Sequence, residues 1–196
     1  MKQYYELRAP YYDDWYLGRG RYISTRDEQA WRAELASLVE LVAALPPMRT
    51  LDVACGTGFL TRRLAGDVVG LDASPAMLEQ ARRQAPNAEL FLGDALALPF
   101  ADDAFDRVFT GHFYGHLDVE ERRTFLGEAR RVAPELLVVD AAVRPNHDQE
   151  EIQHRLLDDG SEWPILKRYF TPDALAEELG GGDPLFAGDW FVVVRA

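Results

Sequence analysis

The segment LDVACGTGFL, Leu51 to Leu60, constrains this chain most. It reads as a buried strand carrying a carboxylate, Asp52, that breaks into a glycine turn, with a helix expected to start from about Phe59. Gly56 and Gly58 lack the Cβ atoms that keep a ligand off the backbone. N–H groups at the start of a helix would face the same ligand. Such a turn can pack directly against a polar molecule. Strand-to-helix glycine turns serve several doubly wound sheets, so the residues that follow have to discriminate among them.

Twenty residues after Asp52, the run VVGLD closes on Asp72, where a strand end can offer a carboxylate to a ribose diol. ELFLGD closes on Asp94 and leads through ALALPFADDAFDRVF into a fourth strand, Arg107 to Thr110. LLVVD, ending at Asp140, is a fifth. Helices fall between them. Ser74 before Pro75 is an N-cap, Asp118 with Glu121 makes a capping box, and Thr171-Pro172 starts another helix. Alternating strands and helices imply an α/β, doubly wound parallel sheet with right-handed crossovers. Leu185-Phe186 and the last strand, Trp190 to Val194, are too close in sequence for a crossover and should form a hairpin that leaves one strand antiparallel.

The chain reads as a single domain, 1–196, in three parts. Residues 1–45, before Pro46-Pro47, form a helical appendage whose Trp31, Leu35, Leu38, Val39, Leu41, Val42 and Leu45 mark a face for the sheet. Residues 48–140 are the ligand-binding core. Residues 141–170, polar with scattered apolar positions, read as an insertion on the substrate side rather than a buried β/α unit. A formal net charge of −12, with no Lys/Arg cluster, argues against a nucleic-acid partner. No apolar run of membrane-spanning length and no leader-like N-terminus stands out, so a cytoplasmic protein without a membrane partner is the expectation. The single cysteine, Cys55, reads as a small buried filler of the turn. No Cys/His spacing suggests a metal.

In order along the chain, YELRAPYYD, LDVACGTG, GLDASPAML, GDALALPFADDAFD and RYFTPDALAEEL resemble the class I S-adenosylmethionine-dependent methyltransferases, and within them the small-molecule group that includes the quinone-pathway enzymes. The resemblance covers nearly the whole chain. It implies a Rossmann-like sheet of about seven strands with the last antiparallel, S-adenosyl-L-methionine as cofactor, and a small-molecule methyl acceptor. It also assigns residues. Asp52, Ala54, Gly56 and Gly58 fall to the methionine end, with Ala54 standing where the family usually has glycine. Asp72 falls to the ribose, Ala73 and Met77 to the faces of the adenine, and Asp94, Ala95 and Leu96 to its amino edge. Thr110 and Gly111, ending the fourth strand, fall to the cofactor as well.

The following residues read TGHFYGH where enzymes that methylate base amines usually carry Asn/Asp-Pro-Pro-Tyr/Phe, which leaves an oxygen, a carbon acid or a simple amine as acceptor. His112 and His116, four apart, are the catalytic candidates, either as bases or as packing and positioning groups. Tyr5 and Tyr12 match the aromatic positions that cover the cofactor, and Tyr114, Trp163 and Tyr169 would line an acceptor pocket. That mix suggests a largely apolar or aromatic acceptor with one nucleophilic group. Two rivals stand beside this reading. A nicotinamide-dependent oxidoreductase would need a third glycine near Arg62, and positions 59 to 65 contain none. A non-catalytic S-adenosylmethionine-binding protein fits the same residues.

Overall fold

Apolar runs with few charges become strands of one seven-stranded sheet in a computed structural model, which describes residues 2–19, 28–145 and 148–196. β1 (Thr50–Val53), β2 (Val68–Asp72), β3 (Glu89–Leu92), β4 (Arg107–Gly111), β5 (Glu135–Ala141), β8 (Asp183–Ala187) and β9 (Phe191–Arg195) lie in the order β3-β2-β1-β4-β5-β9-β8. The first five are parallel, and β9 runs against both neighbours. The expected reversed strand is there for the expected reason: β8 and β9 are joined by a turn too short to cross the sheet. β1 sits at the topological switch, with β2 and β4 on either side. Open α/β sheets bind ligands at the carboxyl ends of such strands.

The helices form where their caps are written. α4 (Pro75–Gln84) starts with Ser74 Oγ accepting the Met77 N–H at 3.1 Å. Asp118 and Glu121 close a reciprocal capping box on α5 (Val119–Val132), and Thr171 Oγ1 caps α6 (Pro172–Glu178). Each cap contributes about 1 kcal/mol. On one sheet face, Phe125, Ala129 and Val132 pack with Leu51, Val108 and Val138; on the other, Trp31, Leu38 and Val42 pack with Phe109, Leu137 and Val193. Trp31, Leu38 and Val42 lie on α3 (Glu28–Ala43), so the appendage helix does lie on the sheet.

One expectation fails, and one segment has more structure than its sequence suggested. No α-helix follows the glycine turn; there is only one 3-10 turn, Thr61–Arg63. The stretch from Gly58 to β2 is too short for a helix plus a return, and Thr61 is held by Asp52 instead of facing solvent. The segment 141–170, read from the sequence only as an insertion, has regular structure of its own. It contains a β-hairpin, β6 (Glu150–Leu156) with β7 (Glu162–Arg168), that stands apart from the main sheet. Glu151, Gln153 and Arg155 alternate with exposed neighbours, a period of two masked by polar residues on both faces.

Ahead of α3, α1 (Lys2–Arg8), a 3-10 turn at Ala9–Tyr11 and α2 (Asp14–Leu17) cross the carboxyl edge of the sheet. Tyr4 packs there with Leu157 and Ile165 of the hairpin side, and Asp13 accepts from Thr57 Oγ1 and Gln84 Nε2, each at 2.5 Å.

Candidate active site

The carboxyl ends of β1, β2 and β4 open into a cleft of about 530 Å³. Asp72 closes β2 there, with Oδ2 accepting the Gly56 N–H at 2.9 Å and Oδ1 the Ser74 N–H at 2.8 Å. The carboxylate thus braces the glycine turn against the start of α4. Burial pushes its pKa up despite those bonds. Asp94 accepts the Leu96 N–H at 2.9 Å and fixes the next turn. Ala73, Met77, Asp94, Ala95, Leu96, Gly111 and His112 line the cleft together, and Tyr5, Tyr12 and Ala54 do so from the turn and the appendage.

Gly56 has φ +56° and nothing within 4 Å of where a Cβ would stand, so the backbone lies open to the cleft. Gly58 has another use. A Cβ there would meet Ala81 and Ala85 at 3.2–3.4 Å, so this glycine lets α4 approach the turn and does not line the cleft. Ala54 keeps the left-handed backbone, φ +57°, that a glycine would adopt without strain. Thr110 is likewise internal, its Oγ1 donating to the Val53 carbonyl at 2.8 Å.

Asp52 lies beneath the turn and borders a small recess beside Tyr12, Tyr16 and Gly56. Burial raises its pKa to about 7, opposed by a 2.6 Å hydrogen bond from Thr61 and reinforced by the charge of Asp72. Among the described residues no cation pairs with Asp52. Cys55 is buried, and burial holds its thiol well above the usual range, so it stays protonated.

These features fit S-adenosylmethionine. An ammonium would supply the cation Asp52 lacks, Gly56 leaves room for a chain against the backbone, and Asp72 stands at the β2 end where a diol can be bound. Leu92, Phe113 and Leu117 give apolar walls for a base and were not legible in the motifs.

A second cavity, about 370 Å³, adjoins the first and shares Tyr12 and His112 with it. His112 follows β4 with φ +57°, so its ring swings between Trp15 and Tyr16, at centroid distances of 5.0 and 5.7 Å. Burial lowers its pKa to about 4, and Nε2 is buried without a hydrogen-bond partner. His116 also lines this cavity. Its Nδ1 lies 2.6 Å from the Leu166 carbonyl, which can only accept, so that nitrogen carries the proton and ties the turn to β7. Burial depresses the His116 pKa well below the usual value.

The other expected substrate residues divide. Tyr169 lines the second cavity. Trp163 packs near Tyr4, its Nε1 donating to Ser161, and borders neither cavity. Tyr114 is buried against Phe125 and Phe170, away from both. Arg8, Arg144, Arg155 and Lys167 line the second cavity, more charge than the largely apolar or aromatic acceptor suggested by the sequence would call for. Sequence reading missed them because their convergence depends on the hairpin and α1 meeting.

A parallel sheet with one reversed strand and a carboxylate-bearing cleft at β1/β2 is the architecture this chain shares with S-adenosylmethionine-dependent methyltransferases, and the comparisons with known proteins point the same way. The family described as a methyltransferase domain matches residues 50–135. A demethylmenaquinone methyltransferase of Renibacterium salmoninarum is 40% identical over 113 residues, covering 56% of this chain and 46% of that protein. A malonyl-[acyl-carrier protein] O-methyltransferase of Halorhodospira halophila is 32% identical over 161 residues, 76% of this chain and 54% of that one. The chain spans about half the length of these relatives. The solved DhpI-SAM-HEP complex superposes with a TM-score of 0.76 at 26% identity over 98% of this chain and 94% of that one. Among the described residues, no helix is long and apolar enough to cross a membrane.

Proposed function

We propose that this protein transfers a methyl group from S-adenosylmethionine to a small molecule held in the second cavity. The observation that carries this is the junction of the two cavities at Tyr12 and His112. When bound, S-adenosylmethionine supplies a methyl carbon already activated by its sulfonium. The protein's own work is placement, which can lower a barrier by about 7–11 kcal/mol. Asp52 and Gly56 hold the methionine end, Asp72 the ribose, Met77 and Leu96 the adenine, and Tyr5 and Tyr12 roof the cleft from the appendage.

His112 is neutral at pH 7, and a group with a pKa of about 4 is a weak base. It therefore serves as a hydrogen-bonding and positioning group at the junction, with His116 placing the far wall. Four cationic side chains, Arg8, Arg144, Arg155 and Lys167, line the second cavity, a concave site of small-molecule size, which supports a small-molecule partner. The lone thiol suits the cytoplasm.

Calorimetry tests the reading. S-adenosylhomocysteine should bind in the micromolar range, roughly −8 kcal/mol, and NAD should not. Asp72→Ala should lose about 2–4 kcal/mol of that binding while remaining folded. Unchanged affinity in the variant would place the cofactor elsewhere.

A further inference from the structure

His116 and Lys167 share the wall of the second cavity, and each is fixed by one hydrogen bond while keeping others unused. His116 belongs to the 3-10 turn Tyr114–His116 and Lys167 to β7. Because Nδ1 of His116 donates to the Leu166 carbonyl, Nε2 carries only a lone pair. Among the described residues that nitrogen has no partner, and it is not sealed from the cavity as Nε2 of His112 is. Lys167 presents the converse. One of its three N–H groups goes to Asp140 Oδ1 at 2.7 Å, and no other acceptor among the described residues takes the remaining two.

Asp140 creates the juxtaposition. Fully buried at the end of β5, it also accepts the Gly115 N–H at 2.7 Å, so the carboxylate that holds Lys167 holds the turn that carries His116. A Cβ on Gly115 would stand 2.6 Å from the Arg168 carbonyl and 3.0 Å from Asp140 Oδ1, so only glycine lets β7 come this near the turn. The ammonium is close enough to depress the His116 pKa beyond the effect of burial, and Asp140 balances its charge. Fastening the hairpin needs only the bonds to Asp140 and Leu166. It does not account for a bare acceptor and spare donors side by side on a cavity wall.

The geometry points to a hydroxyl-recognition subsite, in which an uncharged hydroxyl of the methyl acceptor donates to His116 Nε2 and accepts from Lys167 Nζ. This rests on the methyltransferase reading and specifies its substrate class. A hydroxyl donates and accepts through one atom, as these two partners require. A carboxylate or phosphate oxygen would set its charge against the Nε2 lone pair and Asp140, and an ammonium would meet Lys167. The Tyr169 ring, its centroid 5.9 Å from Nζ, offers an aromatic wall to the rest of the molecule. Anchored there, the acceptor is oriented with its reacting atom toward His112, where the two cavities join. The subsite binds and orients, and takes no part in making or breaking bonds.

The test is a ligand-observed NMR titration of phenol, anisole, benzamide and benzoate into the protein saturated with S-adenosylhomocysteine. Phenol should bind at least about tenfold more tightly than anisole, which keeps the oxygen but has no hydrogen to give. His116→Phe should bring that ratio close to one. So should Lys167→Met combined with Asp140→Asn, which removes the ion pair without leaving a buried charge. A ratio near one in the parent, a comparison that needs no variant, overturns the subsite. A ratio kept in either variant does the same, because packing damage alone would weaken phenol and anisole alike. Tightest binding by benzoate or benzamide overturns the hydroxyl as the recognised group. Failure of S-adenosylhomocysteine itself to bind overturns the underlying methyltransferase reading instead.

Discussion

Asp52 shows how a single residue can oppose stability and serve binding. Its pKa rises from the ordinary carboxylate value to about 7 because water is excluded and Asp72 adds a like charge. With the folded pKa above the unfolded one, the residue's contribution to stability is full below about pH 4 and is lost as pH climbs through 7. Asp52→Asn should therefore be more stable than the parent at pH 8, by roughly 1–3 kcal/mol, with the gain disappearing near pH 4. Urea denaturation at the two pH values measures this. Equal midpoints at pH 8 would mean that the carboxylate is solvated. Binding has the opposite sign: an ammonium partner lowers the Asp52 pKa, so S-adenosylhomocysteine should bind more tightly as pH rises from 6 to 7.5, and Asp52→Asn should abolish that slope. Ala54 and His112, both in left-handed backbone at neighbouring strand ends, add strain in the same place.

At the scale of elements, the sheet positions the cofactor cleft and two lesser pieces enclose the acceptor. α1 reaches both cavities, with Tyr5 on one and Tyr4 and Arg8 on the other. It is short and packs mainly on the hairpin and the start of α4, so its amides should exchange readily without ligand. Adding S-adenosylhomocysteine should slow exchange in Lys2–Arg8 by about tenfold or more; equal rates would make the segment a fixed part of the core. The hairpin is fastened by Lys167, whose ion pair with Asp140 is almost wholly buried. Burial alone would raise the Asp140 pKa, but Lys167 draws it below the usual value. Lys167→Met should cost about 3–5 kcal/mol by stranding that carboxylate, and adding Asp140→Asn should recover much of the loss. A double mutant no more stable than the single one would show that the pair contributes packing alone.

For the whole molecule, ligand binding and folding are linked. The cleft joins β1, β2, β4 and the appendage, so a ligand at 100 times its dissociation constant should add about 2.7 kcal/mol to stability. In a domain of this size that raises the melting temperature by roughly 5–10 °C. S-adenosylhomocysteine should produce the shift in a thermal scan and NAD should not. A shift with NAD alone would restore the oxidoreductase reading. The negative net charge slows the approach of anions at long range, whereas the cations of the second cavity act only within about a Debye length, near 10 Å at 0.1 M salt.

The sequence by itself determined the sheet, its reversed strand, the capped helices and the meeting of Gly56, Asp72 and Asp94 at one cleft. Those features are local: β1, β2 and β3 each end in or beside a carboxylate of their own, each cap lies within a few residues of the helix it starts, and the order of strands and helices fixes the handedness. The missing helix after the turn was not legible, because the Thr61–Asp52 bond that replaces it joins residues whose side chains meet only after the strand is buried. The hairpin was hidden because polar residues occupy both faces. Gly58, Thr110 and Tyr114 look alike in a motif whether they touch a ligand or a neighbour, and only packing separates the cases. The cationic cavity is tertiary throughout. Arg8 and Arg155 lie far apart in the chain, and their meeting on the Tyr4 hydroxyl depends on α1 folding over the hairpin, which no sequence period records.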